Sequence, residues 1–201
     1  ALKNVDVVFH LAANPEVRLE MSDPQTCFQQ NIYATYILLQ QFRNNPKTHT
    51  IIFASTSTVY GEPETIPTPE NYAPLQPISL YGASKLACEA LISAYAQNYI
   101  FKAIIYRLAN IVGPASTHGV VHDFVQKLRI NPRKLEVLGD GTQTKSYLFI
   151  DDCVRAIEIG LRRAESQVEI FNIGSDDQID VKTIANIVIE EMALENVRVT
   201  F

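Results

Sequence analysis

The sequence has 201 residues, of which 47% are hydrophobic and 19% charged, and its formal net charge is -5. This length fits one domain, or one and a fraction, and the apolar content excludes intrinsic disorder. The negative charge and the lack of any Lys/Arg cluster argue against a nucleic-acid partner, and no apolar run approaches the roughly 20 residues of a membrane helix.

The first half of the chain alternates apolar runs with helical stretches. Residues 5–11 are rich in β-branched side chains and predict a buried parallel strand. A long helix is expected over 23–44, with Asp23 as N-cap and Pro24 in its first position. Residues 50–54 predict a second buried strand, which makes the order strand, helix, strand.

A proline-rich segment follows at 62–78 and predicts an ordered surface loop. After it, the pattern favours a helix over 81–98 and a third strand at 103–107. Alternating strands and helices of these lengths are typical of a doubly wound α/β fold, in which helices cover both faces of a parallel sheet.

Beyond residue 113 the pattern is looser and predicts a smaller portion appended to the sheet. Its expected helices lie at 120–130, at 152–164 and from the N-cap residue Asp180 onward. Its expected strands lie at 135–138, 146–150 and 169–173, the last returning with the final helix toward the main sheet.

Tyr81 and Lys85 form the strongest chemical signal, because residues four apart near a helix start lie on one face of the helix. Tyrosine alone is a poor base near neutrality, since its unperturbed pKa is about 10. A nearby ammonium stabilises the phenolate and lowers that pKa. The pair could therefore exchange a proton with a substrate hydroxyl, although the same spacing occurs by chance in many helices.

A run of hydroxyl side chains, from Ser55 to Thr58, follows the second predicted strand and precedes Val59-Tyr60-Gly61. The carboxyl ends of strands in doubly wound sheets are where ligands bind. A hydroxyl there could contact the same substrate oxygen as Tyr81. The alternative interpretation of this run is an ordinary Ser/Thr-rich turn.

Several motifs occur together in the order and spacing of the extended short-chain dehydrogenases. They are His10-Leu11-Ala12-Ala13, Asn31, the Ser-Thr run before Val59-Tyr60-Gly61, Tyr81-x-x-x-Lys85, and Arg107-Leu108-Ala109-Asn110-Ile111-Val112-Gly113-Pro114. The chain resembles this family over essentially its whole length, and within it most resembles the UDP-galactose (UDP-glucose) 4-epimerases.

The resemblance implies a Rossmann-like fold, with residues 1–113 as part of a dinucleotide-binding domain and 114–201 as part of a substrate-binding portion. It implies NAD as cofactor and no metal. The residues implied to contact NAD are Leu11, Ala12, Ala13, Asn31, Ser55, Tyr81, Lys85 and Ala109.

The resemblance also implies the catalytic roles. Tyr81 would be the acid/base, Thr56 the catalytic hydroxyl, and Lys85 the group that binds the nicotinamide ribose and lowers the pKa of Tyr81. Thr56, Tyr81, Asn110 and Lys145 would bind the nucleotide sugar. Lys145 occupies the position at which the family has an arginine. The positive charge is kept, but lysine cannot form the two parallel hydrogen bonds of a guanidinium group.

The implied activity is the interconversion of UDP-glucose and UDP-galactose through a 4-keto intermediate, in galactose metabolism and in the cytoplasm. Two alternatives remain open: a nucleotide-sugar 4,6-dehydratase or decarboxylase, and a non-catalytic sensor or scaffold. Dehydration needs carboxylates directly after the catalytic threonine, where this chain has Ser57 and Thr58. A scaffold would be expected to lose Tyr81 or Lys85. The sequence does not decide between a hexose and an N-acetylhexosamine.

The phosphate-binding loop of the family, G-x-x-G-x-x-G, does not occur in the sequence. The expectation is therefore a fragment of a longer protein, with roughly 60 residues before Ala1 and further substrate-binding residues after Phe201. The resemblance also implies a homodimer, formed by pairing of the helices at 24–44 and 81–98 with those of a second copy.

The remaining histidines and cysteines suggest structural positions. His10 is expected to be structural at a strand end, and no carboxylate or cysteine pattern accompanies His118 or His122 to suggest a metal site. The three cysteines (Cys27, Cys88 and Cys153) form no C-x-x-C pair and are expected to be reduced, buried thiols.

Overall fold

A computed structural model describes residues 2, 4–15, 23–45 and 49–201. It divides into two compact units. The first consists of Ala1–Ala109 and Val154–Ile173, and the second of Asn110–Cys153 and Gly174–Phe201. The functional division predicted at residue 113 stays a prediction.

A four-stranded parallel sheet forms the centre of the first unit, in the order β1-β2-β3-β8. Its strands are β1 (Val7–His10), β2 (Thr50–Thr56), β3 (Lys102–Leu108) and β8 (Val168–Ile173). The central strands carry consecutive buried side chains, such as those of Ile51, Ile52 and Phe53, because a sheet covered on both faces leaves neither side polar. The predicted doubly wound α/β fold is confirmed.

The strands differ from prediction mainly at their ends. β2 continues to Thr56, two residues beyond the predicted end at 54. The pairing of Thr56 with Leu108 in β3 keeps the chain extended there. The hydroxyl run predicted to follow the strand therefore begins inside it.

The helix predicted over 23–44 consists of three consecutive pieces. They are α1 (Pro24–Cys27), a π-helical segment (Phe28–Tyr33) and α2 (Ala34–Arg43). Asp23 occupies the N-cap position with φ -145° and ψ 72°, and its carboxylate accepts from the Thr26 hydroxyl rather than from a backbone N–H. The predicted positions of Asp23 at the N-cap and of Pro24 at the start of the helix are confirmed, without a bond from the Asp23 side chain to the backbone.

The long helix α3 (Leu80–Tyr99) begins where Ser79 caps it by accepting from the Gly82 N–H. It ends at Ile100, whose left-handed backbone (φ 54°) closes the helix. Its inner face packs on the sheet with Cys88, Ile92 and Ala96, all buried.

Unit two contains short two-stranded sheets and helices. The pairs are β4 (Asn110–Val112) with β7 (Tyr147–Phe149), β5 (Lys134–Glu136) with β10 (Arg198–Thr200), and β6 (Thr144–Lys145) with β9 (Ile179–Asp180). The helices are α4 (Val120–Ile130) and α6 (Val181–Glu191), and α5 (Ile150–Arg163) leads from this unit back to the first. Asp180 caps α6 by accepting from the Thr183 N–H, as predicted.

All three cysteines are buried free thiols, as expected from their spacing. Across the described ranges, no helix combines the length and the apolar content needed to cross a membrane.

Gly61 is expected to tolerate no side chain. Its φ is +69°, and a Cβ would lie 2.0 Å from the backbone oxygen of Gln76. Gly61→Ala should therefore lower the free energy of unfolding by more than about 2 kcal/mol, since strain and a backbone clash add. Urea unfolding measures this loss. Gly119→Ala is the matched control, because its φ is also positive but no atom lies within 4 Å of the added Cβ.

Candidate active site

The carboxyl ends of β1, β2 and β3 lie side by side at one edge of the parallel sheet. β1 ends at His10 and is followed by Leu11, whose side chain is 58% exposed although apolar. β2 ends at Thr56. This is the edge at which doubly wound sheets bind ligands, and the predicted residues of the first unit gather along it.

The Thr56 hydroxyl lies near enough to the Tyr81 phenol to lower the pKa of that phenol. Thr56 ends β2 and begins a 3-10 turn, Ser57–Tyr60, whose Thr58 N–H donates to the Thr56 hydroxyl oxygen at 3.2 Å. Tyr81 stands in the first turn of α3. A Cβ on Gly82 would lie 2.9 Å from the Thr58 carbonyl oxygen, so the absence of a side chain lets this turn approach Thr58.

Burial raises the pKa of Tyr81 above its usual value, and the hydrogen bond with Thr56 partly opposes that shift. This direction is opposite to the lowering that Lys85 was expected to cause. Burial raises this pKa because it disfavours the charged phenolate relative to the neutral phenol. Lowering of this pKa by Lys85 stays a prediction for the cofactor-bound protein.

Lys85 lies one turn after Tyr81 in α3, and only 2% of its surface is exposed. Burial lowers the pKa of its ammonium to about 8, while Cys88 and Glu89 oppose the shift. Its Nζ lies 4.1 Å from the centre of the Phe53 ring, a cation–π contact. Within the described part of the chain, Nζ donates no hydrogen bond.

A buried ammonium without an acceptor is costly, so the geometry of Lys85 fits a ligand that supplies one. Ribose hydroxyls are such acceptors. Leu11, Ala12 and Ala13 follow β1 at the same sheet edge, where an exposed apolar strand end suits a cofactor ring. On both grounds the residues present fit the nicotinamide ribose of NAD.

His10 is structural, as predicted: it is buried, and its Nε2 shares a 2.8 Å hydrogen bond with the Thr35 hydroxyl. Burial lowers the pKa of His10 from 6.5 to about 4, and the positive charge of Lys85 makes a smaller contribution in the same direction. The unfolded chain therefore takes up a proton at His10 below pH 6.5 that the folded chain does not.

The free energy of unfolding should consequently fall by roughly 1–3 kcal/mol as the pH drops from about 6.5 to about 4. Chemical denaturation at a series of pH values measures this slope. His10→Gln keeps a polar atom near Thr35 but does not titrate, so its slope should be shallower. His118→Gln, at an exposed histidine, is the control and should keep the wild-type slope.

Asn31 connects the chain after β1 to the first turn of α3. Its Oδ1 accepts from the Asn14 N–H at 2.7 Å, and its Nδ2 donates to the Asn14 carbonyl and to the Ser84 hydroxyl. Ser84 in turn donates to the Tyr81 carbonyl at 2.8 Å. Asn31 lies in the π-helical segment, a distortion common at functional sites. Its predicted nicotinamide contact stays a prediction.

Glu89 is a residue of the site for which the sequence predicted no function. It is buried, accepts from the Ser55 hydroxyl, and forms an ion pair with Arg107 in which Nη2 and Oε2 are 2.8 Å apart. The Ser55 hydroxyl, predicted to contact NAD, thus points to Glu89. Glu89 could have been found from its spacing, because Tyr81, Lys85 and Glu89 are four residues apart and therefore lie on one face of the helix.

The predicted substrate residues Asn110 and Lys145 lie in unit two. Asn110 opens β4, and its amide donates to the Ser146 carbonyl at 2.9 Å. Lys145 lies in β6 with an exposed side chain. Ala109, at the end of unit one, donates its N–H to the Ile173 carbonyl. Their ligand contacts stay predictions.

A sequence model of the NAD dependent epimerase/dehydratase family matches residues 1–174. The uncharacterized UDP-glucose epimerase YtcB of Bacillus subtilis is 33% identical over 188 residues, which are 93% of this chain and 58% of that protein. The human dTDP-D-glucose 4,6-dehydratase is 30% identical over 189 residues, 94% of this chain and 53% of that protein.

Among solved structures, a UDP-galactose 4-epimerase superposes with a TM-score of 0.90 at 41% identity, over 100% of this chain and 67% of that one. The chain thus spans between half and two thirds of the length of the two relatives. The epimerase and the dehydratase match this chain at similar identity.

Proposed function

The chain belongs to the NAD dependent epimerase/dehydratase family, and on that premise we propose that the protein containing it interconverts UDP-glucose and UDP-galactose. The single observation that carries the proposal is the placement of Tyr81 beside Thr56: Thr56 ends β2, Tyr81 lies in the first turn of α3, and Lys85 follows one turn later on the same helix. A positioned phenol and hydroxyl at the ligand-binding edge of the sheet are what oxidation of one sugar carbon requires.

In this mechanism Tyr81 takes the proton of the sugar C4 hydroxyl and later returns a proton to the 4-keto oxygen. Thr56 hydrogen-bonds to the same sugar oxygen and orients it toward Tyr81. One acid/base suffices, because the reverse step uses the same oxygen after the keto sugar has turned over.

NAD supplies the hydride acceptor and donor in this family. Leu11, Ala12, Ala13, Asn31, Lys85 and Ala109 would hold its nicotinamide half. Lys85 would donate to the ribose hydroxyls, which gives its buried ammonium an acceptor.

Residues Ser57 and Thr58 favour epimerisation over dehydration. Dehydration removes the C5 proton and protonates the C6 hydroxyl, which calls for carboxylic acids beside Thr56. Ser57 is exposed, and the Thr58 hydroxyl lies 3.1 Å from that of Thr56. Neither side chain can act as an acid near neutral pH.

Two further parts of the proposal concern partners. Asn110 and Lys145 would bind the UDP diphosphate, Lys145 as a single cationic donor.

A homodimer in the cytoplasm would bury the exposed apolar side chains along the helical stretch 24–43, among them Phe28, Tyr33 and Ile37.

Product analysis tests the proposal. The protein that contains this chain, incubated with UDP-glucose and NAD, should form UDP-galactose of unchanged mass. A product lighter by one water would instead support the dehydratase, and no conversion of any nucleotide sugar would support the scaffold.

A further inference from the structure

One buried ion pair contacts the chain on both sides of Thr56. Glu89 in α3 and Arg107 in β3 are 4% and 3% exposed. The guanidinium engages both carboxylate oxygens: Nε lies 3.2 Å from each, and Nη2 lies 2.8 Å from Oε2. Such bidentate geometry fixes the orientation of both side chains.

The first contact lies immediately before Thr56. The Ser55 hydroxyl donates to Glu89 Oε1, and Ser55 is buried. This bond joins the end of β2 to α3 two turns beyond Tyr81. It therefore fixes the distance between the strand that carries Thr56 and the helix that carries Tyr81.

The second contact lies after Thr56, at the end of the 3-10 turn. Arg107 Nη1 donates to the Tyr60 hydroxyl at 2.9 Å and to the Glu70 carbonyl at 3.1 Å. The Tyr60 hydroxyl donates onward to Asn172 Oδ1 at 2.7 Å. The six-residue segment from Ser55 to Tyr60, which contains Thr56, is thus held at both ends.

We propose that the Glu89–Arg107 pair is a positioning device for Thr56: by holding Ser55 and Tyr60, it keeps the Thr56 hydroxyl within reach of Tyr81. We call these four residues the Thr56 clamp. Glu89 and Arg107 are positioning residues that act through Thr56. The inference rests on the proposed function for its kinetic consequence, but its structural consequence is independent of which sugar is turned over.

Two conservative variants each remove one contact and leave the ion pair intact. Ser55→Ala and Tyr60→Phe should each lower kcat about tenfold, with KM for the nucleotide sugar little changed, because a small misplacement of a catalytic group is costly. Tyr72→Phe is the matched control. Its hydroxyl lies in the same proline-rich region but accepts from the Glu64 N–H, outside the clamp, and kcat should stay at the wild-type value.

A double-mutant cycle separates positioning from mere support of the fold. In a Thr56→Ala background, Ser55→Ala and Tyr60→Phe should change kcat by about twofold or less, because the group they position is gone. A tenfold loss in that background as well would overturn the clamp.

If the protein turns over no UDP-glucose, the proposed function is contradicted but the clamp is not. Crystal structures then decide whether the ion pair positions Thr56. In Ser55→Ala/Tyr60→Phe the Thr56 hydroxyl should move away from the Tyr81 hydroxyl, whereas in Tyr72→Phe the distance between the two hydroxyls should match the wild type. An unchanged distance in the double variant would refute the clamp, whatever the activity.

Discussion

Replacing Tyr81 with phenylalanine is expected to lower epimerisation by on the order of 100–10,000-fold, the usual contribution of a positioned acid/base. The phenylalanine ring fills the same space but carries no proton. NAD affinity should change little, since the ring is not the principal contact to the cofactor. Rates with UDP-glucose and calorimetric titration of NAD measure the two effects separately.

Tyr99→Phe is the control, because Tyr99 lies at the other end of α3 and is 43% exposed. It should keep wild-type turnover. If Tyr81→Phe also kept wild-type turnover, the assignment of Tyr81 as acid/base would be wrong.

Replacing Lys85 with methionine is expected to lower kcat by on the order of 100-fold or more and to weaken NAD binding. Methionine has similar length and suits the buried site, so the fold should survive. The loss arises because the ribose loses its buried donor and the phenolate of Tyr81 loses a nearby positive charge. Turnover and NAD titration measure both effects.

Lys127→Met is the matched control: Lys127 lies in α4, and its Nζ donates to the Glu136 carbonyl on an exposed surface. Both kcat and NAD affinity should match the wild type. An unchanged NAD affinity in Lys85→Met would contradict the ribose contact, and an unchanged kcat would contradict the catalytic role.

The sheet of the first unit was predictable because its strands are continuous apolar runs. Thr50–Thr56 and Lys102–Leu108 each carry β-branched side chains on both faces, a pattern that few other elements share. Tyr81 and Lys85 were predictable for a local reason, their helical spacing. Two short strands of unit two, Lys134–Glu136 and Tyr147–Phe149, lie within two residues of the predicted strands at 135–138 and 146–150. Others, such as Thr144–Lys145 and Ile179–Asp180, are only two residues long and offer too little periodicity to be located.

The supporting contacts of the site were not predictable because they join residues far apart in the chain. Asn31 reaches Ser84 across 53 residues, and Tyr60 reaches Asn172 across 112. No local pattern pairs such positions. The π-helical turn that holds Asn31 also has no sequence signal separate from that of an α-helix.

The central claim is that one site, built on Tyr81 and Thr56, oxidises and re-reduces the same sugar carbon. The most direct test uses UDP-glucose labelled with deuterium at C4, with the product examined by NMR and mass spectrometry. The account predicts UDP-galactose that retains the deuterium at C4, with no loss of water. Deuterium lost to solvent, or found at C6 of a product lighter by one water, would contradict it.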